Sequence, residues 1–198
     1  MKDSYLTIAT PTAPTLYKDR GSKFYGYAFP IQDEEEVKEI VTALKEEHHK
    51  ARHWCYAWKM GDSFRANDDG EPNNSAGQPI YGQLLSFELD YVLVVVVRYF
   101  GGTKLGVGGL VTAYRNAAHE SLATAKIIEK TIDIHMEISF EYAAMDKVLR
   151  ILHEYEAHII ARDMQLHCEF QIAIRTSLVE RLKKALLTTR LVKLKVLT

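Results

Sequence analysis

The stretch from Leu89 to Tyr99, LDYVLVVVVRY, does most to restrict how this chain folds. Its valines and leucines do not alternate with polar residues, and a β-branched run without alternation describes a strand covered on both faces. It reads as the central strand of a sheet. The run passes into Gly101-Gly-Thr-Lys-Leu-Gly-Val-Gly-Gly109. Beyond it, Leu110, Ala113, Tyr114, Ala117, Ala118, Leu122 and Ala125 mark one apolar helical stripe whose small residues allow close packing on a sheet.

A buried strand running through five glycines into a helix brings backbone N–H groups up to an anion. Arg98, Lys104 and Arg115 would add charge-assisted contacts around Gly101, Gly102, Thr103, Gly106, Gly108 and Gly109. The same glycines also suit turns and tight packing, so the residues alone leave both roles open. Nucleotide fingerprints do not fit. A P-loop needs Gly-Lys-Ser/Thr, whereas Thr103-Lys104 is reversed, and Gly106-Val-Gly-Gly-Leu-Val111 lacks the final small residue of the dinucleotide motif.

Asn67-Asp-Asp-Gly-Glu-Pro72 concentrates Asp68, Asp69 and Glu71 in a turn. Three carboxylates suit a hard cation or a partner, although Asx residues followed by Gly also describe a plain turn. The polar stretch Asn67 to Gly82 reads as one long loop, a feature more often functional than merely connecting. His48, His49 and His53 sit where helix gives way to strand, which argues against a shared metal site. No GxSxG elbow or other activated nucleophile is present, so no catalytic residue is named, and neither a metal nor a cofactor is expected. Aromatics interleave at period two in Phe24 to Phe29 and in Trp54, Tyr56 and Trp58; an exposed stripe of this kind could stack bases, while the plainer reading is sheet faces covered by helices.

Elsewhere the chain reads as strands Tyr5 to Ala9 and Lys23 to Phe29, joined by a Pro- and Gly-containing connection. A helix follows from the Asp33/Glu36 capping box through Val37, Ile40, Val41 and Leu44, and a strand runs from His53 to Met60. After Thr131 the text becomes regular: strand Ile132–Phe140, helix Ala144–Glu156, strand His158–Asp163, strand Leu166–Ile174, helix Leu178–Leu187 and strand Leu191–Leu197. That βαββαβ order is the ferredoxin-like plan, which places a domain boundary near Lys130. The fold class expected is α+β, with domains over residues 1–130 and 131–198.

With 25 basic and 26 acidic residues, bulk charge favours neither nucleic acid nor membrane, and any such attraction must come from a local patch. The longest apolar run, Tyr91 to Val97, is far short of the roughly 20 residues a membrane helix needs, so no membrane association is expected. The N-terminus shows no secretory pattern, and a cytoplasmic location is expected. Two distant cysteines, Cys55 and Cys168, read as buried thiols.

The strings Asp68-Asp-Gly-Glu-Pro72, Ala76-Gly-Gln-Pro79, Arg98-Tyr-Phe-Gly-Gly-Thr-Lys-Leu-Gly106, Gly108-Gly-Leu-Val and Ala113-Tyr resemble the Impact family, YigZ-type, as does His53-x-Cys55-x-Ala57. At Asn73-Asn-Ser75 the sequence departs from the family's usual Ser-Gly-Thr or Ser-Ser-Thr. The resemblance implies an N-terminal domain like ribosomal protein S5 domain 2 and a ferredoxin-like C-terminal domain. It also implies a role in translational control or in RNA or ribosome binding. The first expectation is a non-enzymatic module that sets the Gly101–Gly109 turn, with Arg98, Lys104 and Arg115, on RNA phosphates in translation regulation. One alternative is a kinase-like enzyme for a phosphorylated small molecule, with Asp68, Asp69 or Glu71 on magnesium. Another is a regulator that binds a protein through Asp68 to Gln78. The oligomeric state is not legible in one chain.

Overall fold

The computed structural model describes residues 3–164, 167–189 and 192–197. The strand starts read at Leu166 and Leu191 lie outside these residues. Packing divides the chain into two compact units, one of Leu6–Glu129 and one of Lys130–Thr198 with Met1–Tyr5. The fold is α+β.

In chain order the first elements are β1 (Ser4–Ile8), β2 (Thr15–Asp19), β3 (Ser22–Pro30), α1 (Glu34–Glu47), β4 (His53–Met60) and β5 (Ser63–Asn67). They are followed by α2 (Gly77–Ser86), β6 (Val92–Tyr99), α3 (Gly106–Ala123) and β7 (Ile127–Thr131). An antiparallel sheet of order β2-β3-β6-β4-β5 puts the valine-rich β6 at its centre. Val92, Val94 and Val96 pack with Phe24, Cys55, Ile80, Leu84, Leu110 and Tyr114 on the α2/α3 face. Leu93, Val95 and Val97 turn the other way, against Tyr27, Val37, Leu44 and Trp58 on the α1 face. A strand buried on both sides has no solvent face to mark with polar residues, which is why its sequence does not alternate. The aromatic strands behave as read: Trp58 is buried and Trp54 and Tyr56 pack beside it, while Cys55 and Ala57 point to the opposite core.

The cap of α1 forms as its sequence specifies, with Asp33 Oδ1 accepting from the N–H groups of Glu35 and Glu36 at 2.9 and 3.0 Å. Glu36 reaches back one residue further than the usual box, accepting from Gln32 N–H at 2.8 Å.

Two readings need correction. The supposed loop Asn67–Gly82 contains the start of α2, whose Ile80 and Leu84 are fully buried one helical turn apart. Its N-cap residue, Ala76, supplies no side-chain hydrogen bond. The Asp68 carboxylate does so instead, accepting from Ala76 N–H at 2.9 Å and Gly77 N–H at 2.8 Å across eight and nine residues of chain. The glycine turn is also shorter than read. Because α3 begins at Gly106, the glycines at 106, 108 and 109 lie within its first helical turn, and only residues 101–105 connect. Strands β2 and β5, at the two edges of the sheet, were not read at all, since each carries too few buried residues to give a hydrophobic signal.

The second unit runs β8 (Asp133–Phe140), α4 (Met145–Glu154), β9 (His158–Met164), β10 (Cys168–Arg175), α5 (Val179–Leu187) and β11 (Lys193–Val196). Its sheet has the order β11-β8-β10-β9, the ferredoxin-like arrangement, with every neighbouring pair antiparallel. Met136, Ile138, Phe140, Phe170 and Ile172 face Val148, Leu152, Leu182 and Leu186 of its two helices. A separate pair joins β1 to β7. Among the described residues no helix is long and apolar enough to cross a membrane.

Candidate functional site

The end of β6, the 101–105 turn and the start of α3 enclose a cleft of about 270 Å³. Its wall is made by Glu71, Pro72, Arg98, Phe100, Lys104, Leu105, Gly106, Val107 and Leu110. The turn is pinned from behind. Gly101 N–H donates to Ser22 Oγ at 3.2 Å, and a Cβ on Gly101 would strike the backbone of Gly21 and Ser22. Gly101 is therefore glycine for steric reasons, whereas Gly102 and Gly106 have φ of +87° and +72°, where a side chain is strained. Gly108 has neither reason: it lies in regular helix, exposed, with nothing within 4 Å of where a Cβ would sit.

The structure separates the three cations proposed for phosphate contact. Lys104 is exposed on the wall of the cleft. Arg115 is also exposed, but nine residues into α3, about 14 Å along the axis from its first residue. Arg98 is corrected from a free phosphate ligand to a buried ion-pair partner, 5% exposed, with Nη1 donating to Glu71 Oε1 at 2.6 Å. Its guanidinium lies 5.5 Å from the centroid of the Phe24 ring and 5.7 Å from that of Phe100, and its Nε has no hydrogen-bond partner. Thr103 is exposed on the turn.

Glu71 is the hub of a buried network that the sequence did not disclose. Its Oε1 also accepts from the Tyr114 hydroxyl of α3 at 2.8 Å and lies 3.8 Å from His53 Nε2. His53 is oriented by its Nδ1–H, which donates to the Asp69 carbonyl oxygen at 2.9 Å. The Cys55 thiol donates to the Asp68 carbonyl oxygen at 3.0 Å and sits 3.3 Å from the Tyr114 hydroxyl. Burial, then the neighbouring Cys55 and Glu71, pushes the Tyr114 hydroxyl far above the usual tyrosine range. Burial likewise pushes the Cys55 thiol up, so it stays protonated and a weak nucleophile. Partners 27 and 43 residues from Glu71 carry no local signal; the only clue was a charged residue inside an otherwise apolar strand, Arg98.

The three carboxylates do not converge on a cation. Asp68 caps α2 and accepts from Asn74 N–H at 2.8 Å, while Asp69 accepts from Trp54 N–H at 2.8 Å and pairs with Lys45 at 3.4 Å. Glu71 belongs to Arg98 and Tyr114. Among the described residues no three His, Cys, Asp or Glu side chains are grouped to hold a metal. The Asp68–Gln78 segment, proposed as a partner-binding loop, buries Glu71, Ser75, Ala76 and Gly77 and exposes Pro72, Asn73, Asn74 and Gln78.

Architecture and site define a two-unit α+β protein with a cation-edged cleft at the N-terminus of a sheet-packed helix. Residues 20–122 match the model of the Impact N-terminal domain. The chain is 33% identical over 157 residues to the IMPACT family member YvyE of Bacillus subtilis (strain 168), covering 78% of this chain and 72% of that protein. It is 32% identical over 177 residues to the IMPACT family member YigZ of Escherichia coli (strain K12), covering 87% and 86%. A crystal structure of a hypothetical protein superposes with a TM-score of 0.74 at 29% identity, covering 100% of this chain and 99% of that one. The chain belongs to the Impact family.

Proposed function

We propose that this protein is a non-enzymatic RNA-binding module acting in translation, and that the cleft at the start of α3 is its phosphate-contacting surface. The observation that carries the reading is the N-terminus of α3. Its Leu105 cap position makes no side-chain hydrogen bond, its first turn contains glycines, and Lys104 stands beside it. The first N–H groups of a helix have no intrahelical partners and carry partial positive charge, so an uncapped N-terminus beside a lysine suits a phosphate oxygen. Membership of the Impact family supports a role near translation. With Arg98 neutralised by Glu71, Lys104 and Arg115 are the cations left to contact phosphates.

Affinity for a fluorescent RNA oligonucleotide, measured by anisotropy across a salt series, tests this. Two phosphate contacts predict a log–log slope of about −1.4 to −1.8. Lys104→Glu is expected to weaken binding and flatten that slope by about one contact's share, roughly 0.7–0.9. Salt-independent affinity, or indifference to Lys104→Glu, would overturn the assignment.

A further inference from the structure

We propose that the cleft takes one unpaired nucleotide of an RNA strand, its base stacked on Phe100 and its phosphate at the start of α3 beside Lys104. The inference rests on the RNA reading above and narrows it from RNA in general to single-stranded RNA. A volume of about 270 Å³ equals roughly nine waters, more than a phosphate group fills and far less than a duplex segment requires. The cleft is also chemically two-sided. Phe100, Leu105, Val107 and Leu110 make one part apolar, while Lys104 and the uncapped helix N-terminus make the other suited to an anion. A nucleotide has the same division, a flat base at one end and a phosphate at the other.

Phe100 carries the argument furthest: it is 48% exposed and lines the cleft beside Lys104. Its ring centroid lies 5.7 Å from the buried Arg98 guanidinium, which itself lies 5.5 Å from that of the buried Phe24. A base laid on Phe100 would cover the exposed part of the ring. Arg98 beside it is nine-tenths buried, lines the cleft and is held by Glu71, so it fixes the apolar wall on which Phe100 sits. Bases within a duplex are stacked on one another, so an aromatic platform selects an unpaired base; stacking is also tolerant of sequence, because every base has a π-face.

The test uses the full chain and two fluorescein-labelled probes, a 12-nucleotide uridine-rich RNA strand and the 12-base-pair duplex of the same strand. The strand is expected to bind at least tenfold more tightly than the duplex. Phe100→Ala is expected to weaken strand binding by roughly 5- to 150-fold, the range for losing one stacked base, without changing duplex binding. Phe100→Trp, which keeps a stacking surface, should retain wild-type affinity, and Gly82→Ala, in α2 away from the cleft, should change nothing. Equal affinity for strand and duplex, with both weakened by Lys104→Glu and neither by Phe100→Ala, would overturn the nucleotide proposal and leave the phosphate-binding reading standing. Equal losses in Phe100→Ala and Phe100→Trp would also overturn it, by removing stacking as the cause. No binding of either probe would overturn both.

Discussion

Truncating Glu71 would leave the Arg98 guanidinium buried with no countercharge, in contact with Phe24 and Phe100. Breaking a buried pair by removing one partner costs far more than the pair itself contributes, because the stranded ion has lost its hydration. Glu71→Ala is therefore expected to lower the unfolding free energy by about 3–5 kcal/mol in urea titrations. Replacing both residues, as Glu71→Leu with Arg98→Met, should restore much of that loss, and failure to do so would show that the network contributes more than charge pairing. A second residue-scale expectation concerns Tyr27, whose hydroxyl is bonded to His48 Nε2 at 2.6 Å and is pushed up to about 12, chiefly by burial and then by Glu47 and neighbouring tyrosines. The folded state thus holds this proton more tightly than the unfolded chain, where tyrosine titrates at about 10. Its stabilising contribution is full below about 10 and is lost as pH rises through about 12. Urea midpoints should fall between pH 9.5 and 11.5, and Tyr27→Phe should make that fall shallower; Tyr114, Tyr99 and the Cys55 thiol, raised in the same direction, add to it.

At the scale of elements, the glycines of the 101–109 segment divide by function. Gly101→Ala drives a methyl group into the Gly21–Ser22 backbone and is expected to destabilise by about 1–3 kcal/mol or more. Gly108→Ala meets no neighbour and lies off the cleft wall, so it should stabilise α3 by about 1 kcal/mol and leave RNA affinity unchanged. Thermal melts together with anisotropy would read both effects, and a Gly108→Ala variant with weakened affinity would show that the glycine is not dispensable to the site. The same elements show where sequence text carries structure. Helix α1 was legible because Asp33 and Glu36 cap it within four residues, and β6 because seven consecutive apolar residues admit few alternatives. Helix α2 was not, because its cap is Asp68, remote along the chain and embedded in Asx-Gly-Pro text that ordinarily spells a loop. The cleft was half legible. Lys104 and the glycines stood out as a cluster, but no local pattern shows that Glu71 and Tyr114 come from elsewhere to take the charge of Arg98.

For the molecule as a whole, the two compact units imply two folding domains, and residues 130–198 expressed alone are expected to give a dispersed amide spectrum. Asp3 is expected to matter for that unit. Its carboxylate accepts from Ser177 N–H at 3.1 Å and from the Ser177 hydroxyl at 2.7 Å, and its carbonyl oxygen accepts from Ile132 N–H at 2.9 Å. The isolated fragment should therefore melt below the same unit in the full chain, and a collapsed, poorly dispersed spectrum would show that it depends on the rest of the protein. The pairing of β1 with β7 also bears on how the protein is made. Between the end of β1 at Ile8 and the start of β7 at Ile127 lies most of the first unit. At roughly 5–20 residues per second, β1 waits roughly 6–24 s after its own synthesis for β7 to be made. Until then β1 on a nascent chain has its Leu6 contact with Leu89 and Asp90 to hold it, and its pairing with β7 is among the last events in the folding of the first unit.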